Sequence, residues 1–168
     1  MGMCKDPSDV EQFWTELLRR GDERVKRRPM QKRRLWMRRA VAIALHGDAV
    51  PVLGVGKAST MSFDTYNIQG VWCSGPTLHV KQLLFGVWVG QVTDCTAGEL
   101  WHIVTWSLHW LYMGKWPPVD WNGHPWTDDN PVEKALANTP LADGLFAVLL
   151  CLKADLDHFA KSLGALAL

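Results

Sequence analysis

No stretch of this chain approaches the ~20 consecutive apolar residues needed to cross a bilayer, and no charged-then-apolar leader opens it. A membrane span is excluded on that ground, and an intracellular location is expected. The four cysteines (Cys4, Cys73, Cys95 and Cys151) form no CxxC pair and no disulfide-framework spacing. Reduced thiols are expected, with Cys73, Cys95 and Cys151 acting as small buried hydrophobes in apolar sequence. "MGMCKD" has Asp6 where a myristoylation signal needs Ser or Thr. There is no internal repeat, no low-complexity tract and no phosphate-binding loop. In "GVGKAST", Pro51 occupies the first Gly position of that motif and Ala58 follows Lys57.

Tryptophan is abundant, with ten in 168 residues, so these rings must fill a core, cover a partner or stack on a ligand. The 48% hydrophobic and 21% charged content is that of a globular chain. A formal net charge of +1 conceals an asymmetry. Up to Arg39 there are twelve Lys or Arg against six acids, giving +6; from Ala40 onward six stand against eleven, giving −5. Attraction to polyanions therefore belongs to residues 1 to 39. These are expected to form a helical basic arm beside a domain over residues 40 to 168.

Within the arm, "SDVEQFWTELLRRG" reads as an amphipathic helix with Val10, Phe13, Trp14, Leu17 and Leu18 on one stripe and Gly21 at its end. Ser8 and Glu11 fit a capping box. The run "DERVKRRPMQKRRLWMRR" follows, broken by Pro29. A solvated basic face, a nuclear-import signal and nucleic-acid contact all fit it, and the residues that would steer toward phosphates are Arg27, Arg28, Lys32, Arg33 and Arg34.

From Ala40 the pattern becomes β-type. "AVAIAL" is apolar on both faces, as a central strand covered on each side should be. "TMSFDTYNIQGVW" and "VKQLLFGVWVGQV" supply two more strands, with Gly70, Gly75 and Pro76 between them. A helix is predicted from a capping box at Thr96 and Glu99 to Gly114, apolar nearly all round. Residues 99 to 113 thus suit a buried helix or a dock for a protein partner. "KWPPVDWNGHPWTDDNP" reads as a loop, whose Trp116, Trp121 and Trp126 either pack on the helix or stack on bases. His102 and His109 share a helix face with no further ligand at metal spacing, which suits core or interface histidines. "FAVLLCLKA" is the last strand and "LDHFAKSL" a last helix.

The order strand, strand, strand, helix, strand, helix predicts an α/β fold with a mixed sheet. Two apolar runs end in acids, at Asp48 and Asp155. If the first and last strands pair in parallel, both carboxylates emerge at the same C-terminal edge, where open α/β sheets bind ligands. Two such carboxylates repel unless a hard cation lies between them. Each acid has a second reading. Asp155 caps the helix that follows, and Asp48 belongs to an "HGD" turn between two short strands. His46 shares a strand face with Asp48 and would orient the site or lie at the surface.

These stretches, "LHGDAVPV" and "LKADLDHFAKSLG", resemble the segments around the first and second acids of RNase H-like nucleases and DDE transposases. The second is similar to that of large eukaryotic transposases of the Kyakuja, Dileera and Zisupton type. With "GVGKAST" and "HWLYMGKWPP", both are also similar to multi-copy proteins of dinoflagellate genomes. The resemblance covers residues 40 to 168. It implies an RNase H-like sheet, incomplete at its C-terminus, with Asp48 and Asp155 as catalytic ligands of Mg²⁺ or Mn²⁺. It implies nucleic-acid processing by metal-dependent phosphodiester chemistry, DNA as the partner of the basic arm, and a nuclear rather than cytoplasmic setting. No third acid or Cys segment follows before Leu168, so the core is expected to be truncated and inactive alone. The alternatives are a non-enzymatic protein docking through residues 99 to 113, or a fragment without selected function.

Overall fold

The computed structural model describes residues 7–26, 29–53, 61–72, 80–93 and 95–154. Helix α1 (Pro7–Arg19) is followed by a 3-10 turn (Pro29–Lys32) and the short α2 (Trp36–Arg39). Then come β1 (Ala40–Leu53), β2 (Met61–Gly70), β3 (Lys81–Trp88), α3 (Thr96–Met113), α4 (Pro131–Leu136) and β4 (Phe146–Lys153). The strands form one sheet in the order β3-β2-β1-β4. β1 and β2 are antiparallel, as are β2 and β3, while β1 and β4 run parallel. The chain is thus α/β with a mixed sheet, and its first and last described strands are parallel neighbours, the pairing stated above as a condition.

The two-sided apolar character of β1 follows from its central place. Ala40, Ala42 and Ala44 are buried on one face, Ile43 and Leu45 on the other. Three small alanines in a row leave room for large rings above them. Trp14 of α1 is fully buried there, its Nε1 donating to the Ala40 carbonyl at 2.8 Å and its ring packing on Trp36 at 5.5 Å. Val25 and Met30 close the same cluster with Phe146, Val148 and Leu150 of β4.

This packing ties the described part of the basic N-terminal stretch to the sheet. Val10, Trp14, Val25, Met30 and Trp36 share one buried cluster with Ala40 and Ala42 of β1 and with β4.

A correction concerns β1. It does not end at an "HGD" turn: it continues to Leu53, with Gly47 opposite Tyr66 and Asp48 opposite Thr65. Ladder pairing to β2 overrides the local turn chemistry of His46, Gly47 and Asp48. Pro51 is tolerated because the ladder shifts register between Pro51 and Leu53. On β3, Gly86 has a packing reason: a Cβ there would clash with the Phe63 ring.

Helix α3 lies over the other face of the sheet, where Trp101 meets the edge of Tyr66, itself stacked on Phe85. Val104 is buried, and Ile103 (36% exposed) and Met113 (40%) face outward. The expected Thr96 cap is absent: Cys95 is the N-cap residue, without a side-chain cap bond, and the Thr96 hydroxyl instead accepts from the Thr93 amide. Cys95 is exposed rather than buried, and both it and Cys151 are free thiols. Gly114 ends the helix at φ 69°, its amide bonded to Trp110 and Leu111 carbonyls. Among the described residues no helix is long and apolar enough to cross a membrane.

The stretch after Gly114 is a built loop. Leu141 N donates to the Gly114 carbonyl, Trp116 N to Thr139, Asn138 N to Trp116, and Trp126 Nε1 to Pro117. Trp121 meets Trp106 edge-on, with rings 6.4 Å apart, and its carbonyl lies 2.5 Å from His102 Nε2. The loop therefore packs on α3, which is the use of these tryptophans that the absence of nearby basic residues favours.

Candidate functional site

Asp48 is exposed on the face of β1 that also carries His46, since successive strand residues alternate faces. The cross-strand neighbours on that face are Thr65 beside Asp48 and Asn67 beside His46. The Thr65 hydroxyl donates to the Asp48 main-chain carbonyl at 3.2 Å, which leaves the carboxylate itself out of that bond. On the other side, β4 pairs with β1 from Ala40 opposite Phe146 to His46 opposite Lys153. Asp155 lies outside the described residues. The ladder stops two positions before Asp48 on one strand, and two positions before Asp155 in the sequence of the other. Among the described residues no three His, Cys, Asp or Glu side chains cluster as a metal cage.

The basic residues divide into three kinds. Arg27 and Arg28 lie outside the described residues. Several others are already paired with acids: Arg19 and Arg20 with Glu16, Arg24 with Asp22, Lys26 with Glu23, and Arg38 with Glu11. Hydrogen bonds from Arg19 and then Arg20 draw the Glu16 carboxyl down from 4.5 to about 2. The positive run of the sequence is therefore partly neutralised where it folds. Lys32 and Arg34 are exposed, and no ion pair is formed by either among the described residues.

Arg33 has an internal role that its charge run conceals. Its guanidinium lies 4.4 Å from the Phe146 ring centroid and 4.6 Å from that of Tyr112, and Nη1 donates to the Tyr112 carbonyl at 2.7 Å. It thereby ties the start of β4 to the last turn of α3, where a cation suits the helix dipole.

One polar cluster escaped the sequence reading. Asp120 Oδ1 accepts from the amides of Asn122 and His124, and Oδ2 lies 3.3 Å from His124 Nδ1. Desolvation raises the Asp120 pKa, but the His124 and Asn122 amides and the His124 side chain outweigh it and hold the carboxyl below its usual 3.8. The signal was present in "DWNGH": an Asp two residues before Asn-Gly is the pattern of a side-chain-nucleated turn. This cluster shapes the loop and brings no reactive group to Asp48. His102 serves the loop in the same way, and His109 packs against the Trp110 ring.

Set against known proteins, the chain matches no family model, no curated protein and no solved structure, so the reading of the Asp48 site rests on its own geometry.

Proposed function

We propose that this chain is a transposase-derived, nucleic-acid-processing domain built on an RNase H-like sheet, with Asp48 and Asp155 as joint ligands of Mg²⁺ or Mn²⁺. The observation that carries the reading is the parallel β1/β4 ladder, which ends at His46 opposite Lys153. β1 runs on two residues past His46 to Asp48, and in the sequence Asp155 follows Lys153 by the same two residues. Three antiparallel strands with a parallel fourth beside the first is also the arrangement this reading requires.

Asp48 presents an exposed carboxylate, a hard oxygen donor of the kind Mg²⁺ prefers. In the intact family such ions activate an attacking oxygen and stabilise a leaving one in phosphodiester cleavage. The chain's own groups then have separate tasks. Asp48 and Asp155 bind, His46 and Asn67 flank the carboxylate on the same face, and Lys32 and Arg34 attract phosphates, with Arg27 and Arg28 as further candidates. Arg33, engaged with two rings, contributes structure to this scheme. DNA as the chain's partner and a nuclear setting follow from the same reading.

The test is a Mg²⁺ and Mn²⁺ titration followed by thermal melting of wild type, Asp48→Ala and Asp155→Ala. An ion at a hundred times its Kd stabilises the fold by about 2.7 kcal/mol. That raises the Tm by roughly 5 to 10 °C for a domain of this size. The shift should vanish in both variants. An equal shift in all three proteins removes the site.

The outward Ile103 and Met113 favour a second reading, a protein that docks through α3. It predicts that Ile103→Glu with Met113→Glu abolishes partner binding while leaving the metal response intact.

A further inference from the structure

The turn that leads into β4 is wound against the preference of its residues. Ala142 (φ 37°), Asp143 (φ 57°) and Gly144 (φ 84°) lie in the left-handed region one after another. An L side chain visits that region as a single residue, and only a glycine does so without steric cost. Two of the three positions therefore hold strain. Their neighbours do not: Leu141 (φ −75°, ψ 136°) and Leu145 (φ −64°, ψ 150°) are already extended. Straightening three residues turns this stretch into one extended linker, in which residues 142 to 145 span roughly 13 Å.

Both sides of the turn are firmly held. Upstream, Leu141 N donates to the Gly114 carbonyl and Trp116 N to that of Thr139, which ties the loop to the end of α3. Downstream, β4 pairs with β1 from Ala40 opposite Phe146 to His46 opposite Lys153, with Leu150 as one extra residue between the Ile43/Leu149 and Ala44/Cys151 pairs. Phe146, Val148 and Leu150 pack into the cluster of Trp14, Met30, Ala40 and Ala42, and Arg33 lies over the Phe146 ring. Every one of these partners precedes the turn in the chain. A β4 from another copy would meet the same surfaces, and only the turn distinguishes the two sources. Opening it breaks two backbone bonds, Gly144 N to Leu141 and Leu145 N to Ala142. Ala142, Asp143 and Leu145 are exposed, so water replaces those bonds.

We propose that two copies of this chain exchange β4, with Ala142 to Leu145 as the hinge. The exchanged strand fills the same β1 edge and the same buried cluster, while the left-handed turn relaxes in both copies. A short connection under strain is what favours such exchange over a closed monomer. In the dimer, Lys153 of the partner subunit stands beside His46. The inference is independent of the metal reading.

Light scattering on a sizing column, after refolding of the full chain over a range of concentrations, reads the exchange. The wild type should give a dimer whose share grows with the concentration during refolding. Ala142→Gly with Asp143→Gly removes strain from the closed turn and should lower the dimer share at a given concentration about tenfold or more. Ala142→Pro forbids φ 37° at that position while suiting the extended Leu141 before it, so this variant should be dimeric at every concentration. A wild type that stays monomeric throughout, a folded monomer of Ala142→Pro, or a dimer share unchanged by the two glycines overturns the proposal.

Cross-linking separates exchange from any other dimer. With the four native cysteines replaced by serine, Val41→Cys is placed on one chain and Ala147→Cys on another. These positions are direct partners in the β1/β4 ladder, within disulfide range. Refolded together and oxidised, the two chains should join covalently, since exchange sets β4 of one against β1 of the other. A dimer that forms without this bond has kept its own β4 and refutes the exchange. A chain carrying both cysteines, refolded at low concentration, should close the bond within itself; failure there removes the ladder on which the exchange rests.

Discussion

Trp14→Phe probes whether α1 belongs to the sheet's core. Trp14 is fully buried, packs edge-on against Phe13 and at a tilt against Trp36, and gives its Nε1 hydrogen to the Ala40 carbonyl at 2.8 Å. Phenylalanine keeps most of the apolar volume but has no donor. Leaving a buried acceptor without its partner costs about 1–3 kcal/mol, and the smaller ring adds a cavity of roughly 1 kcal/mol. The expected loss is therefore about 2–4 kcal/mol, or a Tm lower by roughly 5 to 15 °C in a domain of this size. Trp14→Ala should cost about 3–5 kcal/mol, since it removes the ring altogether. Urea unfolding is the assay: the midpoint should fall at constant slope, which marks a change in stability alone. A loss below about 0.5 kcal/mol, the level of an ordinary surface substitution, would mean that α1 is a detached arm and that the shared core is wrong.

Arg33→Lys should lower stability by about 1–2 kcal/mol in the same assay, because an ammonium cannot lie flat on both Tyr112 and Phe146 while bonding the Tyr112 carbonyl. No loss would return Arg33 to the phosphate-steering group. The Asp120 carboxyl is depressed in the folded chain, so its support of the loop is fully present above the ordinary value of 3.8 and fades as pH falls through the lower folded value. In an NMR acid titration the Asn122 and His124 amide signals should move together in that range; a midpoint at or above 3.8 contradicts the turn's electrostatics.

Much of the framework was legible because burial leaves a periodic trace. The stripe of α1, the two-sided strand at Ala40, the apolar strand from Phe146 and the stop at Gly114 all follow from apolar spacing and one glycine. What was hidden depends on partners distant in sequence. "HGDAVP" carries local turn chemistry, and only the β2 ladder makes it strand. Arg33 reads as one more charge in a basic run, and nothing nearby in sequence announces the rings at Tyr112 and Phe146. Leu150 is an ordinary strand residue by composition; its extra place in the ladder appears only when β4 lies against β1. For the acids, the sequence picked out Asp48 and Asp155, but Asp48 lies within β1 and not at its end, and the pairing of His46 with Lys153 came from the ladder.

The neighbour relation of β1 and β4 also governs the order in which the chain can assemble. β1, β2 and β3 are joined by short connections and can pair early, as local contacts form fastest. The strip of β1 from Ala40 to His46 must wait for β4, which is made after α3 and the long loop. During synthesis that strip is an open, alanine-rich edge beside an uncovered tryptophan, and such edges invite pairing with other chains. A ribosome that stalls before Phe146 would therefore release a sticky product.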